Sequence, residues 1–271
     1  MNVKVDGAEL HCTAHGTGPV CLVLTGIGTR PYERQTAALT RRLSLVYVDL
    51  RGSGRSSGEA SDLTLERVAE DLEAVRTQLR TERVAVFGHS VLGVLAIEYG
   101  RRRPSSVSHV IAVGTPPSGN MAVLAAKAKV FFEQDASDER KRVLRENLAA
   151  LPPDAPLGQV FMAQTPLRFF DPRADAAPLF EGAEHRPAFL AHSLGPLTGS
   201  WDVREDTGAP SVPTFLALGR YDYIVPHVLW DGVVDELPAF KRHLFERSGH
   251  QPFVEEPERF EETLGAWMGL R

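Results

Sequence analysis

The chain is poor in cysteine and contains no long apolar run. Only two of its 271 residues are cysteines, Cys12 and Cys21, and both fall in predicted strands. This excludes a disulfide framework, and we expect both to be reduced, small core side chains in a cytoplasmic protein. No apolar run approaches the roughly 20 residues that cross a bilayer. No charged and then apolar leader precedes Asp6, so we expect neither a membrane span nor a secretory signal.

The chain also lacks a large excess of charge of one sign. Lys and Arg together number 30, Asp and Glu together number 35, and the formal net charge is −5. This balance argues against nucleic acid or an anionic membrane as the main partner. Neither metal-ligand spacing nor a nucleotide-binding glycine loop occurs, so we expect no metal and no cofactor. The expected partner is a small-molecule substrate, and the oligomeric state stays open between monomer and homodimer.

What the sequence does contain is a regular alternation of strand-like and helix-like patterns. Continuous apolar runs at residues 20–24, 84–87 and 107–113 are typical of strands covered on both faces. Segments with helical spacing separate these runs. The alternation predicts an α/β fold with a mostly parallel central sheet and helices on both faces.

Local patterns predict several further elements. The Asp6-Gly7 pair is a good two-residue turn and predicts an N-terminal hairpin. Apolar residues at helical spacing predict helices over residues 31–42 and 227–237 and a closing helix over 257–268.

A region without strand patterns interrupts the alternation. Residues 117–206 show helical periodicity and hold seven of the thirteen phenylalanines. We predict a helical cap here, inserted into a core formed by residues 1–116 and 207–271. A cap over the carboxyl edge of the sheet would close an apolar pocket above Ser90. The phenylalanines are Phe131, Phe132, Phe161, Phe169, Phe170, Phe180 and Phe189, and most of them are expected to form the core of the cap itself.

One stretch, residues 84–93, combines a buried strand, a tight turn and the start of a helix. Gly88 and Gly93 bracket Ser90 where the strand must reverse into a helix. This arrangement is typical of a nucleophile elbow, which holds a serine in a strained backbone and presents its hydroxyl. The amides at the start of the following helix would favour an anion that develops there.

With this elbow, three further motifs make the chain resemble the α/β-hydrolase family, closest to its proline iminopeptidase-like and esterase branch. They are the glycine-punctuated turn at residues 49–56, the acid loop at 219–226 and the histidine loop at 248–257. The resemblance implies a mostly parallel sheet with an inserted helical cap and a triad in the order serine, aspartate, histidine. The chain departs from the family at Leu92, where the elbow usually has glycine, and Gly93 is expected to provide the close packing instead.

The chemistry of a triad points to the same residues. A serine hydroxyl needs a neighbouring base, and that base needs a third group to hold its tautomer. Of the nine histidines, His250 alone lies on a glycine-preceded loop after the last predicted strand, so we predict it to be the base for Ser90. Asp222 follows the preceding predicted strand and is the predicted acid, since the loop at residues 114–116 offers no carboxylate.

Two backbone amides are needed to stabilise the oxyanion. One is predicted at Val91, directly after the nucleophile, and the other at Ile27, in the loop after the strand at residues 20–24. The family commonly has histidine-glycine where this chain has Thr25-Gly26. The proline iminopeptidase pattern continues with glycine-proline-glycine, where this chain has Ile27-Gly28-Thr29, and these departures argue against peptidase activity. The residues predicted to contact substrate are Gly26, His89, Phe131 and Phe161.

Three functions are compatible with these residues. The first is a serine hydrolase that cleaves an ester, thioester or lactone of a largely apolar small molecule through an acyl-enzyme. The second is a proline iminopeptidase, for which cap acids such as Glu133 could bind the substrate ammonium. The third is a ligand-binding or recruited biosynthetic protein that keeps the scaffold without hydrolysis. An epoxide hydrolase or dehalogenase is disfavoured, because those relatives have an aspartate at the position of Ser90.

Overall fold

An eight-stranded sheet lies at the centre of the computed structural model, which describes residues 1–205 and 211–270. Strands β3 to β8 pair in parallel, whereas β1 and β2 add an antiparallel hairpin at one edge, with β2 beside β4. The strands are β1 (Asn2–Val5), β2 (Ala8–His15), β3 (Val20–Thr25), β4 (Ser44–Asp49), β5 (Val84–His89), β6 (Val107–Val113), β7 (Thr214–Gly219) and β8 (Phe240–Phe245). Their order across the sheet is β1-β2-β4-β3-β5-β6-β7-β8.

The predicted α/β class is confirmed, and so is the predicted hairpin. Every residue of β5 and β7 is buried, as expected for apolar strands covered on both faces. Val5 pairs with Ala8 across the two-residue turn, and Gly7 has a φ of +73°, a value that suits glycine. Cys12 and Cys21 are free thiols buried in the core.

Helices cover both faces of the sheet. They are α1 (Thr29–Gln35), α2 (Leu65–Gln78), α3 (Val91–Arg102), α4 (Met121–Asp135), α5 (Asp138–Ala149), α6 (Leu157–Ala163), α7 (Thr165–Arg168), α8 (Pro187–Leu194), α9 (Pro252–Glu255) and α10 (Pro257–Met268). Helix α10 has the predicted bounds. In the part of the chain that is described, no helix combines the length and the apolar character needed to cross a membrane.

Helices α4 to α8 fall within the predicted cap region, residues 117–206. Between residues 117 and 205 the only strand-type pairing described is an isolated bridge between Ser118 and Asp202. The boundary predicted between residues 206 and 207 lies outside the described residues.

Two predicted helices are shorter than the sequence pattern indicated. The first, over residues 31–42, stops at Gln35, and both the amide and the hydroxyl of Thr36 donate to the Tyr32 carbonyl, at 2.9 and 2.7 Å. A 3₁₀ turn follows at Ala37–Arg41. The helix predicted over residues 227–237 is two 3₁₀ turns, His227–Trp230 and Val234–Glu236, with Gly232 between them at a φ of +77°.

Candidate active site

Ser90 occupies a strained turn between β5 and α3. Its φ of 58° is unusual for a residue with a side chain, and its amide donates to the Val113 carbonyl at 2.8 Å. A Cβ at Gly88 would overlap the backbone of Leu92, and a Cβ at Gly93 would overlap the side chain of Thr115. The two glycines therefore permit the sharp reversal, and Gly93 provides the close packing that was expected of it.

The structure brings His250 and Asp222 together. Nδ1 of His250 and Oδ2 of Asp222 are 2.7 Å apart, and both side chains are buried. The other carboxylate oxygen, Oδ1, accepts from the amides of Ile224 and Val225, each at 2.8 Å. Because the carboxylate accepts from Nδ1, that nitrogen carries the proton and Nε2 is left unprotonated, as a general base requires.

His89 fixes the histidine loop against the elbow. Its Nε2 lies 3.0 Å from the backbone carbonyl of His250, and the two imidazole rings are 4.7 Å apart. Burial lowers the pKa of His89 well below its usual value, and the nearby His250 lowers it further, so His89 is neutral and donates to this carbonyl. Since His89 directly precedes Ser90, the contact places the loop of His250 beside Ser90.

Two backbone amides are available near Ser90 for an oxyanion. Within residues 1–205 and 211–270, neither the N–H of Ile27 nor that of Val91 has a protein acceptor. Val91 begins α3, so the helix dipole adds to its donor strength. The carbonyl of Ile27 accepts from the Glu184 amide at 2.7 Å, which ties this loop to the cap.

Two cavities meet at Ser90. The larger, of about 520 Å³, lies between sheet and cap, and the smaller, of about 130 Å³, is lined by Gly26, Ile27 and His89. Phe161 lines both cavities. The larger cavity is mostly apolar, and its lining includes Val94, Leu124, Ala128, Phe132, Leu190 and Leu194.

Phe131 does not reach either cavity, which corrects the expectation for this residue. It packs against Tyr223 and His227, with ring centroids 5.6 Å apart in each pair, and lines a separate groove on the surface. Phe132 faces the cavity at Ser90 instead. Consecutive residues of a helix point about 100° apart, so α4 presents only one of the two to the cavity.

Two charged residues near the site were not identified from the sequence. Arg168 lines the larger cavity, and its carbonyl accepts from the His250 amide at 2.6 Å. Glu255, for which the sequence suggests only helix capping, accepts from the Gly249 amide at 2.7 Å and from the Phe170 amide at 2.6 Å. Glu255 therefore joins the histidine loop to the cap. Arg168 belongs to no local motif, so no sequence signal marked it. Glu255 lies within the histidine loop at residues 248–257, but the pattern there indicated only helix capping.

We expect the free energy of unfolding to depend on pH through Glu255. Burial raises the pKa of this carboxyl from 4.5 to about 7. A group whose pKa is raised by folding favours the folded state most at pH below 4.5, and that contribution is lost as the pH rises through 7. Relative to Glu255→Gln, which does not titrate, the wild type should lose stability between pH 5 and pH 8.

Urea unfolding of both proteins at the two pH values measures this difference. Other titrating groups are shared by the two proteins and cancel in the comparison. The exposed Glu258 supplies a matched control, because Glu258→Gln should shift stability equally at both pH values. A stability difference between wild type and Glu255→Gln that does not change with pH would contradict the prediction.

Comparison with known proteins identifies the family of this chain. A family model described as alpha/beta hydrolase fold matches residues 18–257. The AB hydrolase superfamily protein YclE of Bacillus subtilis (strain 168) is 31% identical over 274 residues, with 97% of this chain and 96% of YclE covered. A pimeloyl-acyl-carrier-protein methyl ester esterase of Nitrosomonas europaea is 26% identical, with 93% of this chain and 97% of the esterase covered.

Solved structures show the same fold. The proline iminopeptidase of Mycobacterium smegmatis superposes with a TM-score of 0.75 at 22% identity, with 99% of this chain and 97% of that chain covered. At this identity the likeness concerns the fold and not the activity. The family model and the relatives together establish that the chain belongs to the α/β-hydrolase family.

Proposed function

We propose that the protein is a serine hydrolase that cleaves a carboxylic ester, thioester or lactone of a largely apolar small molecule through an acyl-enzyme. The observation that carries this proposal is the buried contact of 2.7 Å between His250 and Asp222, beside the strained Ser90 at the edge of an apolar cavity. An activated serine requires a base held in one tautomer, and this pair supplies it.

The proposed reaction has two halves. The Ser90 hydroxyl attacks the substrate carbonyl while Nε2 of His250 takes its proton, and the amides of Ile27 and Val91 stabilise the oxyanion. Collapse of this intermediate breaks the ester bond, and His250 returns the proton to the departing alcohol or thiol. Water then attacks the acyl-enzyme with the same proton transfers, which releases the acid and restores Ser90.

The cavity and the relatives support an ester-type substrate. The lining of the larger cavity is mostly apolar, which suits a hydrocarbon acyl or alcohol part. The relative from Nitrosomonas europaea carries the name of a methyl ester esterase. Glu133, the acid offered above for a peptidase, does line this cavity, but it is exposed and accompanied there by Lys129 and Arg168. The binding of a free ammonium is therefore less well supported.

Labelling with a fluorophosphonate tests the proposal. We expect the wild type to be labelled and to hydrolyse p-nitrophenyl esters, because the probe reacts only with an activated serine. Ser90→Ala should lose both properties while it unfolds at the same temperature. Prolyl-p-nitroanilide turnover above ester turnover would favour the peptidase, and a folded but unlabelled wild type would favour a binding protein.

A further inference from the structure

Arg168 lies at the end of α7 with its side chain against the larger cavity. Its Nη2 donates to Oε1 of Gln164 at 3.1 Å, and its guanidinium carbon lies 4.7 Å from the ring centre of Phe161. Its Nε is buried and has no hydrogen-bond partner in the part of the chain that is described. Among the described residues Nη1 also has no hydrogen-bond partner, and unlike Nε it is not a buried atom, so Nη1 is the donor left for a ligand at the cavity wall.

No carboxylate within residues 1–205 and 211–270 forms an ion pair with Arg168. The nearby acid is Asp222, whose charge favours the protonated Arg168. The hydrogen bonds of Asp222, however, go to His250 and to the amides of Ile224 and Val225. Arg168 is partly buried, and a cation withdrawn from water is usually paired, since an unpaired charge loses hydration without compensation.

The remaining charges of the cavity do not supply the missing partner. Lys129 and Glu133 also line it, but both are exposed residues of α4 with opposite charges. Their fields oppose one another at the cavity wall, so the sheltered charge near Ser90 is that of Arg168. Burial lowers the pKa of Arg168 to about 10, and the side chain remains protonated at neutral pH.

We propose that Arg168 binds a carboxylate of the substrate, and that the substrate class is half-esters of dicarboxylic acids or the corresponding thioesters. The guanidinium fork matches a carboxylate with two parallel hydrogen bonds, and the apolar lining suits the hydrocarbon chain between carboxylate and ester. The larger cavity, which Arg168 lines, takes the acyl chain, and the smaller one takes a small leaving group. This inference rests on the proposed hydrolase function.

Hydrolysis of paired substrates tests the role of Arg168. Methyl half-esters from malonate to suberate are compared with methyl esters of neutral acids of equal chain length. At the best length, we expect the wild type to prefer the half-ester roughly 10- to 100-fold in kcat/KM, the value of a charge-assisted hydrogen bond. Arg168→Met should bring this ratio close to one, mainly through KM, and Arg168→Lys should restore part of it.

Arg145→Met is the matched control, because Arg145 is an exposed cap residue that lines neither cavity. It should leave the preference unchanged. Thermal unfolding of each variant separates a loss of preference from a loss of fold. A wild type that hydrolyses neutral esters without preferring a half-ester at any length would overturn the proposal, as would a preference that survives in Arg168→Met.

A binding measurement makes the outcome independent of catalysis. In the Ser90→Ala background, calorimetry with the preferred half-ester should give a Kd that rises at least about tenfold when Arg168→Met is added. A Kd that does not change would contradict the proposed carboxylate site and would leave the proposed hydrolase function unaffected. The opposite outcome is also distinguishable. If the fluorophosphonate does not label the wild type and no ester is hydrolysed, the hydrolase function is contradicted. Binding of monomethyl adipate to Ser90→Ala that still depends on Arg168 would then support the anion site alone.

Discussion

Asp222→Asn should lower kcat for a p-nitrophenyl ester by about four orders of magnitude, the effect of a wrong histidine tautomer in a serine triad. The geometry shows why the effect should be this large. Oδ1 of Asp222 accepts from two amides, those of Ile224 and Val225, so the amide oxygen of an asparagine must take that position. The asparagine NH₂ group then faces Nδ1 of His250, which becomes an acceptor, and the proton moves to Nε2.

Steady-state kinetics and the rate of fluorophosphonate labelling measure the consequence. The value of kcat and the labelling rate should fall together, because both reactions need Nε2 of His250 to accept the proton of Ser90. Asp231→Asn is a suitable control, since Asp231 is exposed and pairs with Arg242 far from this chemistry. A loss of less than tenfold in Asp222→Asn would remove Asp222 from the role of orienting acid.

The positions of Ser90, Asp222 and His250 could be predicted because each follows a predicted strand, of which β5 and β7 are fully buried. The ends of β5, β7 and β8 lie at one edge of the sheet, where parallel pairing aligns them. A linear pattern of apolar runs and glycine loops therefore indicates which side chains meet. The bounds of α10 were predicted for a similar reason, since Pro257 and the apolar spacing are local signals.

The sequence did not predict which side chains of the cap face the cavity. Helical spacing shows which residues share a face, but both faces of α4 carry phenylalanine, and only packing on the core decides that Phe132 meets the cavity. Arg168 belongs to a helix of four residues, and its place beside His250 depends on how the whole cap folds back. Contacts between distant segments of this kind leave no periodic signal in the sequence.

The turn at residues 49–56 is bound to the strand that precedes the loop of Ile27. Asp49 accepts from the Thr25 hydroxyl at 2.5 Å and from the Arg55 amide at 2.9 Å, so the turn is fixed to the end of β3, which leads into the loop of Ile27. Arg51, in the same turn, donates to both oxygens of Asp71 at 2.8 and 3.1 Å. Both members of this pair are only 2% exposed, which links the turn to α2 through charges without access to water.

Asp71→Ala should lower the free energy of unfolding by about 3–5 kcal/mol, because it leaves the Arg51 guanidinium buried without its partner. The double change Arg51→Met with Asp71→Leu removes both charges and should cost clearly less, since apolar residues of similar volume often replace a buried pair without loss. Breaking the exposed pair of Arg242 and Asp231 with Asp231→Ala should cost about 1 kcal/mol or less.

Urea unfolding of the four proteins measures these differences. The order of the variants in free energy of unfolding matters more than any single value, because this order separates the cost of an unpaired charge from the contribution of the ion pair. A double variant that is less stable than Asp71→Ala would show that the ion pair itself stabilises the fold.

Ester hydrolysis by the folded double variant measures a different property of the turn. It reports whether the contacts of Asp49 are enough to hold the loop of Ile27 in place when the ion pair is absent. Activity near that of the wild type is expected, since Asp49 keeps its contacts with Thr25 and Arg55.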